Sequence, residues 1–307
     1  MFKENVPLSG ISSYKIGGPA RYFFEAKTAD ELKKAVEEAK DKNLDFFIIG
    51  SGTNFLINDE GYPGLVIKMS IDFMESSGTE VSVGAGALMS DLVSFSIKNN
   101  LSGLEWAGGL PGTVGGAIRG NAGAFGGEIK DNIKSVKSFD AATLGEKERN
   151  AAECGFGYRY SIFKEPSNKE IILSASFDFK NGDGKEIEKS VNEKITHRKE
   201  RQPLEYPNAG SIFKNVDLKK IPADQLARFE KVVKNDPFPV VPTAFIISEA
   251  GLKGISSGGA MISPKHPNFI VNMSNAKALD VKNLINLAKK EVKNKFGIEL
   301  EEEIIFV

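Results

Sequence analysis

The sequence predicts a mixed α/β protein, in which strands and helices alternate along a single chain of 307 residues. Apolar runs typical of buried strands, such as FFII at Phe46–Ile49, alternate with segments whose apolar residues recur at helical spacing. Turn-forming glycine, proline and asparagine separate these segments. A third observation is local: nine of the 31 glycines lie between Leu104 and Gly127. Because each interior glycine weakens a helix or a strand, neither is expected in that stretch.

The first predicted unit spans residues 1–63. Thr28 and Glu31 have the spacing of a capping box at a helix start. After this start, four apolar residues recur at helical spacing and would face the core: Leu32, Ala35, Val36 and Ala39. The strand at Phe46 follows them.

A second predicted unit covers residues 64–182. It contains strands at VIK and VSV, a helix from Leu88 to Asn99, the glycine-rich segment and a half-buried strand from Ile171 to Phe179. The run NGDG at residues 181–184 indicates a boundary.

The third predicted unit covers residues 183–307. Ile187, Val191 and Ile195 share one face of a charged helix. The final strand, within residues 299–307, holds Glu303 and is expected to return to the active site. Before it, a long helix from about Asp280 directs five apolar residues inward: Val281, Leu284, Ile285, Ala288 and Val292.

Composition favours small-molecule partners. Lys and Arg number 40 and Asp and Glu number 41, so no basic field for nucleic acid or anionic lipid is expected. The start lacks an apolar signal core, and no run is long enough to span a membrane, which predicts a cytoplasmic protein. One cysteine excludes an internal disulfide, and two histidines disfavour a zinc site. No obligatory protein partner is evident.

Two glycine-rich loops carry the first functional signal. Backbone N–H groups in such turns form concavities that bind phosphate, although a single loop of this kind is more often a tight structural turn. A second loop, GSGTN after the Phe46 strand, favours a nucleotide site at the strand's carboxyl end. The chain has neither a P-loop nor a complete Rossmann fingerprint. Candidate cofactor-binding residues are Gly50, Ser51, Gly52, Thr53, Asn54, Gly109, Thr113, Gly115, Gly116 and Asn121.

Three polar residues are candidates for chemistry. Arg159 could grip a carboxylate or phosphate in bidentate fashion, or form a surface ion pair. Ser211 follows a glycine at the entrance to a short apolar strand, where most serines only cap a turn. Glu303 lies in LEEEIIFV, where an exposed strand carboxylate is the alternative. Spacing alone does not unite the three residues.

Eight ordered motifs cover essentially the whole chain: IGGPA, IIGSGTNFL, GLEWAGGLPGTVGGAIRGNAGAFG, CGFGYRYSIFK, RKERQPLEYPNAGSIFKN, EAGLKG, GGAMISPKHPNFIVN and FGIELEEEI. Together they resemble the UDP-N-acetylenolpyruvoylglucosamine reductase (MurB) family in its shorter subtype, and this resemblance unites the three residues. The resemblance implies a vanillyl-alcohol-oxidase type FAD-binding fold in two subdomains, followed by an α/β substrate domain.

The resemblance also implies an activity: reduction of the enolpyruvyl ether of UDP-N-acetylglucosamine to UDP-N-acetylmuramate for peptidoglycan synthesis. FAD would be bound non-covalently, and NADPH would be the hydride donor. By motif match, Arg159 and Glu303 would stabilise the negative charge that develops on the substrate, and Ser211 would deliver a proton. Tyr158, Lys214, Asn215 and His266 would contact the substrate.

Some positions depart from the usual family pattern. Arg119 and Phe125 differ near the expected cofactor loop, and Glu302 replaces a common proline. Residues 217–242 are longer than the family's connection and are interpreted as an added helix beside the substrate entrance. Two alternatives stay open: an FAD-dependent oxidase of the same fold, and a nucleotide binder without catalysis.

Overall fold

The computed structural model describes residues 2–307. Its helices are α1 (Ala29–Asp41), α2 (Met89–Lys98), α3 (Val114–Gly120), α4 (Gly184–Arg201), α5 (Leu226–Phe229), α6 (Thr243–Glu249) and α7 (Ala278–Phe296).

The strands are short in much of the chain, and several contain only two residues. They are β1 (Lys3–Pro7), β2 (Pro19–Ala26), β3 (Phe46–Ile49), β4 (Phe55–Leu56), β5 (Tyr62–Met69), β6 (Met74–Ser77), β7 (Glu80–Gly84), β8 (Leu101–Ser102), β9 (Gly123–Ala124), β10 (Gly127–Glu128), β11 (Ile133–Asp140), β12 (Gly145–Asn150), β13 (Glu170–Asp178), β14 (Lys180–Asn181), β15 (Val216–Asp217), β16 (Lys234–Asn235), β17 (Pro239–Val241), β18 (Ser256–Ser257), β19 (Ala260–Ile262), β20 (Ile270–Asn272) and β21 (Ile305–Phe306).

The chain forms two compact units, and each draws on separated segments. Unit 1 contains the residues up to Val6, Ala20–Ser51 and Pro63–Arg198. Unit 2 contains Pro7–Pro19, Gly52–Tyr62 and Lys199–Val307. The predicted division into residues 1–63, 64–182 and 183–307 stays a prediction.

Unit 1 contains two main sheets. One has the strand order β1-β2-β5-β3, with β3 parallel to β5, and the other has the order β12-β11-β13-β7-β6. Helix α1 begins as predicted, because the Thr28 side chain accepts a hydrogen bond from the Glu31 backbone N–H at 3.1 Å. The four apolar residues predicted to face inward from α1 are all buried.

Strand β13 alternates in burial as predicted over residues 173–178, but its first residues are more deeply buried than that alternation predicted. Residues 170–173 are all buried, although a half-buried strand was expected. The reason is its central position, because β11 and β7 pair antiparallel with its two edges and α3 contacts it.

The glycine-rich segment contains one regular helix, α3, and the two-residue strand β9, so the prediction that it holds neither helix nor strand is wrong over Val114–Gly120 and Gly123–Ala124. Thr113 caps this helix by accepting a hydrogen bond from the Gly116 N–H at 3.4 Å. Valine, alanine and isoleucine at positions 114, 117 and 118 bury its inner side, and this burial offsets the weak helix propensity of the glycines.

Unit 2 packs around α7. The five residues predicted to face inward are buried, and the helix begins two residues before the predicted Asp280. Strand β21 pairs parallel with β4, joining Ile305 to Phe55. The final strand is shorter than expected and does not include Glu303. This residue precedes β21, and its backbone N–H forms a hydrogen bond outside the strand.

The segment 217–242 contains the added helical stretch that the sequence predicted, over residues 223–232, although only the four residues of α5 are α-helical and the turns on either side of it are 3-10. The placement of this segment beside the substrate entrance stays a prediction. Its strands assemble with β15 in the order β15-β17-β16. Proline and β-branched residues at Pro239–Val241 favour this extended structure. Over residues 2–307, no helix combines the length and apolar character that crossing a membrane requires.

Candidate active site

The two predicted loops meet within unit 1. A Cβ atom added to Gly50, directly after β3, would lie only 2.4 Å from Oγ1 of Thr113, the residue that caps α3. Only a residue without a side chain allows this approach. The GSGTN turn and the glycine-rich segment are therefore adjacent at Gly50 and Thr113.

The glycines of the glycine-rich segment have different surroundings. A Cβ on Gly115 would lie 2.9 Å from the Ala85 Cβ, so this glycine permits close packing of α3 on the end of β7. Gly116 is exposed and has only Thr113 Oγ1 nearby, at 3.5 Å. Gly109 is exposed and has φ +71°. Gly109 and Gly116 thus leave their backbone accessible, whereas Gly115 is used for packing.

Asn121 is a structural residue of the same segment. It is fully buried and ends α3 in the left-handed conformation, with φ 41°. Its Nδ2 donates to the carbonyl oxygen of Gly157 at 2.9 Å and to Glu128, and its Oδ1 accepts from the Lys130 N–H. Its side-chain amide is therefore occupied by protein groups, and a cofactor contact through its backbone stays a prediction.

The GSGTN turn begins in unit 1, which contains Gly50 and the half-buried Ser51, and continues into unit 2. Gly52 has φ +65°, and a Cβ there would approach the Ile11 carbonyl oxygen to 2.8 Å. Thr53 is half-buried. The Asn54 side chain donates to the Glu303 carbonyl oxygen at 3.1 Å, which ties this loop to a predicted catalytic residue.

Arg159 and Tyr158 occupy a tight turn of unit 1. Gly157 and Tyr160 pair on either side of it, and Arg159 has φ +54°, an uncommon conformation for a residue with a side chain. Its Nη2 donates to the Gly123 carbonyl oxygen at 2.8 Å, and its guanidinium lies 5.2 Å from the centre of the Tyr158 ring. Lys164 donates from Nζ to the Arg159 carbonyl oxygen at 2.7 Å.

Ser211 and Glu303 lie on neighbouring extended segments of unit 2. The Glu303 N–H donates to the carbonyl oxygen of Ile212 at 2.8 Å, and Phe213 bridges to Glu302. The short apolar strand expected after Ser211 is reduced to this bridge. Arg159 belongs to unit 1, and its placement beside these two residues stays a prediction.

The pairing continues at Lys214 and Asn215, two of the predicted substrate-binding residues. The Lys214 N–H donates to the Glu301 carbonyl oxygen at 2.9 Å, and its side chain forms an ion pair with the Glu301 carboxylate. Asn215 Oδ1 accepts a hydrogen bond from the Thr243 N–H at 3.2 Å. Both side chains are half-buried.

His266 is the fourth predicted substrate-binding residue. Its ring packs edge-on against Phe269, and its buried Nδ1 lacks a hydrogen-bond partner in residues 2–307. Burial lowers the pKa of His266 to about 4, with a smaller contribution from the positive charge of Lys234. The imidazole is therefore neutral at pH 7.

Asn268, two residues further along, was not predicted from the sequence. It is buried, and its Oδ1 and Nδ2 bond the Phe213 N–H and carbonyl oxygen at 3.0 and 2.8 Å. A polar residue inside the apolar run PNFIVN was the available signal. Asn268 thus fixes the segment that carries Ser211.

Two buried donors of unit 1 were also missed. Trp106 Nε1 and Arg198 Nη2 lack hydrogen-bond partners in the described part of the chain. Trp106 packs against Gly127 of the glycine-rich segment, and Arg198 Nε donates to the Gly108 carbonyl oxygen at 2.8 Å. Buried polar groups are rarely left unsatisfied, so both donors mark this segment as a place for a ligand.

Two family models together match most of this chain. Residues 20–143 match the FAD binding domain, and residues 202–307 match the C-terminal domain of UDP-N-acetylenolpyruvoylglucosamine reductase. Relatives of that name include one from Carboxydothermus hydrogenoformans, 42% identical over 304 residues that cover 98% of this chain and 92% of the relative. The chain belongs to the UDP-N-acetylenolpyruvoylglucosamine reductase family.

Other members agree over the same length. The relative from Caldicellulosiruptor bescii is 39% identical, with coverage of 100% of this chain and 90% of the relative. The crystal structure of the Thermus caldophilus reductase superposes with a TM-score of 0.78 at 32% identity, covering 100% of this chain and 99% of that one. The predicted fold class, an FAD-binding fold joined to a further α/β domain, is thereby confirmed.

The family cofactor, FAD, fits the residues of this chain. The matched FAD binding domain spans Gly50 and the whole glycine-rich segment. Gly109 and Gly116 offer backbone without a side chain, and Trp106 and Arg198 offer buried N–H groups without partners. Such donors and open backbone suit a ligand with phosphates and a polar ring.

Proposed function

We propose that this chain is an NADPH-dependent UDP-N-acetylenolpyruvoylglucosamine reductase that forms UDP-N-acetylmuramate for peptidoglycan synthesis. Membership of the family over the full chain is the observation that carries this proposal. The adjacency of the two glycine-rich loops at Gly50 and Thr113 supports the cofactor part of it. The predicted cytoplasmic location, and action without an obligatory protein partner, belong to the same proposal.

The reaction adds two electrons and two hydrogens to a carbon–carbon double bond. Bound FAD would be held by the two glycine-rich loops, at Gly50, Gly109 and Gly116, and would supply hydride transfer from NADPH to the terminal carbon of the enolpyruvyl group. Negative charge then develops on the α-carbon and the carboxylate of the substrate. The protein must stabilise this charge and supply a proton to the α-carbon.

Arg159 and Glu303 stabilise the developing charge in this proposal. The Arg159 guanidinium neutralises the substrate carboxylate, a role that suits its planar, permanently charged group. Contacts with Gly123 and the Tyr158 ring limit its freedom before substrate binds. Glu303 contributes a hydrogen bond to the enolate oxygen.

Ser211 donates the proton to the α-carbon and regains one from solvent. An alcohol is a weak acid, but an enolate is a strong enough base to take its proton when the hydroxyl is held in place. Two features hold the backbone around Ser211: the Glu303 bond to Ile212, and the Asn268 amide on Phe213. Tyr158, Lys214, Asn215 and His266 contact the substrate.

An anaerobic stopped-flow experiment tests the proposal. The FAD-loaded protein is bleached with one equivalent of NADPH and then mixed with enolpyruvyl-UDP-N-acetylglucosamine. Return of the oxidised flavin spectrum, with UDP-N-acetylmuramate as product, is the expected result. Steady-state rates should follow a ping-pong pattern, because both substrates react in turn with the same cofactor.

Two outcomes would contradict the proposal. If only oxygen restores the oxidised spectrum, the chain is an oxidase of the same fold. If NADPH does not bleach the flavin, and NADH is equally ineffective, the chain does not use a nicotinamide donor. The same trace recorded with NADH in place of NADPH measures the preference between the two donors.

A further inference from the structure

Arg198, near the end of α4, is a buried cation without a matching anion. Only 8% of its surface is exposed. Its Nε donates to the Gly108 carbonyl oxygen at 2.8 Å, but its buried Nη2 has no partner among residues 2–307. Arginine is seldom buried unless it is paired, because removing a charge from water is costly.

The groups around Arg198 offset only part of this cost. The Phe125 ring lies 5.3 Å from its guanidinium carbon, which gives a favourable but modest cation–π contact. Burial lowers the pKa of Arg198, and the positive charge of Arg159 lowers it further. Within residues 2–307, no carboxylate forms a salt bridge with Arg198.

The position of Arg198 connects this charge with the cofactor loop. A Cβ added to Gly109 would lie 3.2 Å from the Arg198 Cδ, so the arginine stem lines the glycine-rich segment. That segment lies within residues 20–143, which match the FAD binding domain. The unpartnered Nη2 therefore belongs to the surroundings of the predicted cofactor.

We propose that Arg198 stabilises the negative charge that the FAD ring acquires on two-electron reduction, and so raises its reduction potential. The inference rests on the proposed function, which requires FAD. The oxidised ring is neutral, so an uncompensated cation beside it favours the reduced, anionic form. Arg159 is already assigned to the substrate carboxylate, which leaves the cofactor as the anion for Arg198.

The midpoint potential of the FAD-loaded protein, measured without NADPH or substrate, tests this role. In Arg198→Met, the relative affinity for reduced over oxidised FAD should fall about tenfold to a hundredfold, the usual cost of losing a charged hydrogen bond. For a two-electron couple this corresponds to a potential about 30 to 60 mV lower. Arg198→Lys, which keeps the charge, should lose less than tenfold. Arg201→Met, an exposed change in the same helix, should leave the potential unchanged.

An unchanged potential in Arg198→Met overturns the inference. If substrate binding to the oxidised enzyme then weakens, Arg198 serves the substrate carboxylate; if neither quantity changes, its role is structural. If a variant loses FAD, the cofactor is added back and its dissociation constant is measured in the oxidised and in the reduced state. The ratio of these two constants gives the same relative affinity for reduced over oxidised FAD as the midpoint potential. The potential needs no turnover, so its outcome is distinct from that of the stopped-flow test of function.

Discussion

The backbone N–H of Glu303 donates a hydrogen bond to the carbonyl oxygen of Ile212 at 2.8 Å. This bond links the last segment of the chain to the residue that follows Ser211. Two predicted catalytic residues, 92 positions apart in the sequence, are thereby carried on paired segments of one unit. The candidate site in unit 2 depends on this pairing.

Replacing Ser211 by alanine should separate the two half-reactions. Reduction of the flavin by NADPH should stay within about twofold of wild type. Reoxidation by the enolpyruvyl substrate should slow about a hundredfold to ten-thousandfold, because a positioned proton donor is lost. Anaerobic stopped-flow absorbance measures both rates, with Ser256→Ala as an exposed serine control. Equal slowing of both steps would rule out a proton-donor role.

Glu303→Gln should retain FAD and slow reoxidation by substrate about a hundredfold or more, because the donated hydrogen bond to the enolate weakens. The matched control is Glu302→Gln, whose carboxylate accepts from Lys289 Nζ at 2.7 Å. That variant should react at the wild-type rate. A colourless Glu303→Gln protein would instead assign Glu303 a structural role.

A side chain at Gly50 should separate the two cofactor loops. In Gly50→Ala the new Cβ meets Thr113 Oγ1, and we expect a loss of about 1 to 3 kcal/mol in unfolding free energy together with weaker FAD retention. Thr113→Ala in the same chain removes the colliding atoms, although it also removes the α3 cap. The double variant should therefore recover part of the FAD content, measured by flavin absorbance per protein. Full FAD retention in Gly50→Ala alone would remove this contact from the cofactor site.

Lys164 should act on substrate reduction through Arg159. Its bond to the Arg159 carbonyl oxygen holds a left-handed backbone conformation that costs of order 1 to 3 kcal/mol. Lys164→Met should slow reoxidation by substrate about tenfold and leave reduction by NADPH unchanged. In an Arg159→Ala background the same change should have no further effect. Lys169→Met, which removes another lysine-to-carbonyl bond, is the control.

The buried His266 should make unit 2 less stable in acid. Its pKa is lowered from 6.5 to about 4, so the folded state resists protonation. The stability associated with the neutral ring is complete above pH 6.5 and is lost as the pH falls towards 4. About 2 kcal/mol should be lost between pH 7.5 and pH 5, and His266→Gln should reduce this loss in urea unfolding.

An NMR titration provides an independent check of the His266 pKa. The chain has two histidines, so the imidazole signal that is missing from His266→Gln identifies this residue. A midpoint near 4 agrees with the structure. A midpoint near 6.5 would show that the ring is solvated and that its position has been assigned wrongly.

The sequence pattern was sufficient to predict the structural features that depend on local interactions. Thr28 and Glu31 predicted the start of α1, and the spacing of Val281, Leu284 and Ile285 predicted the buried face of α7. These features depend on residues within a few positions of one another, so the sequence contains all the information needed. The glycine-rich segment also identified itself by composition, although the helix inside it was missed because burial offset the cost of its glycines.

Only the tertiary structure decided which distant groups meet. Gly50 approaches Thr113, and Ile212 pairs with Glu303, although the two residues of each pair are far apart in the chain. The burial of Arg198 without a partner for its Nη2 likewise depends on distant residues. Sequence spacing gives no distances between such residues, since loop and sheet topology set them. The sequence by itself thus determined the start of α1, the buried face of α7, the family and the candidate residues. The fold determined burial and hydrogen-bond partners, and with them the charge at Arg198 that remains to be neutralised.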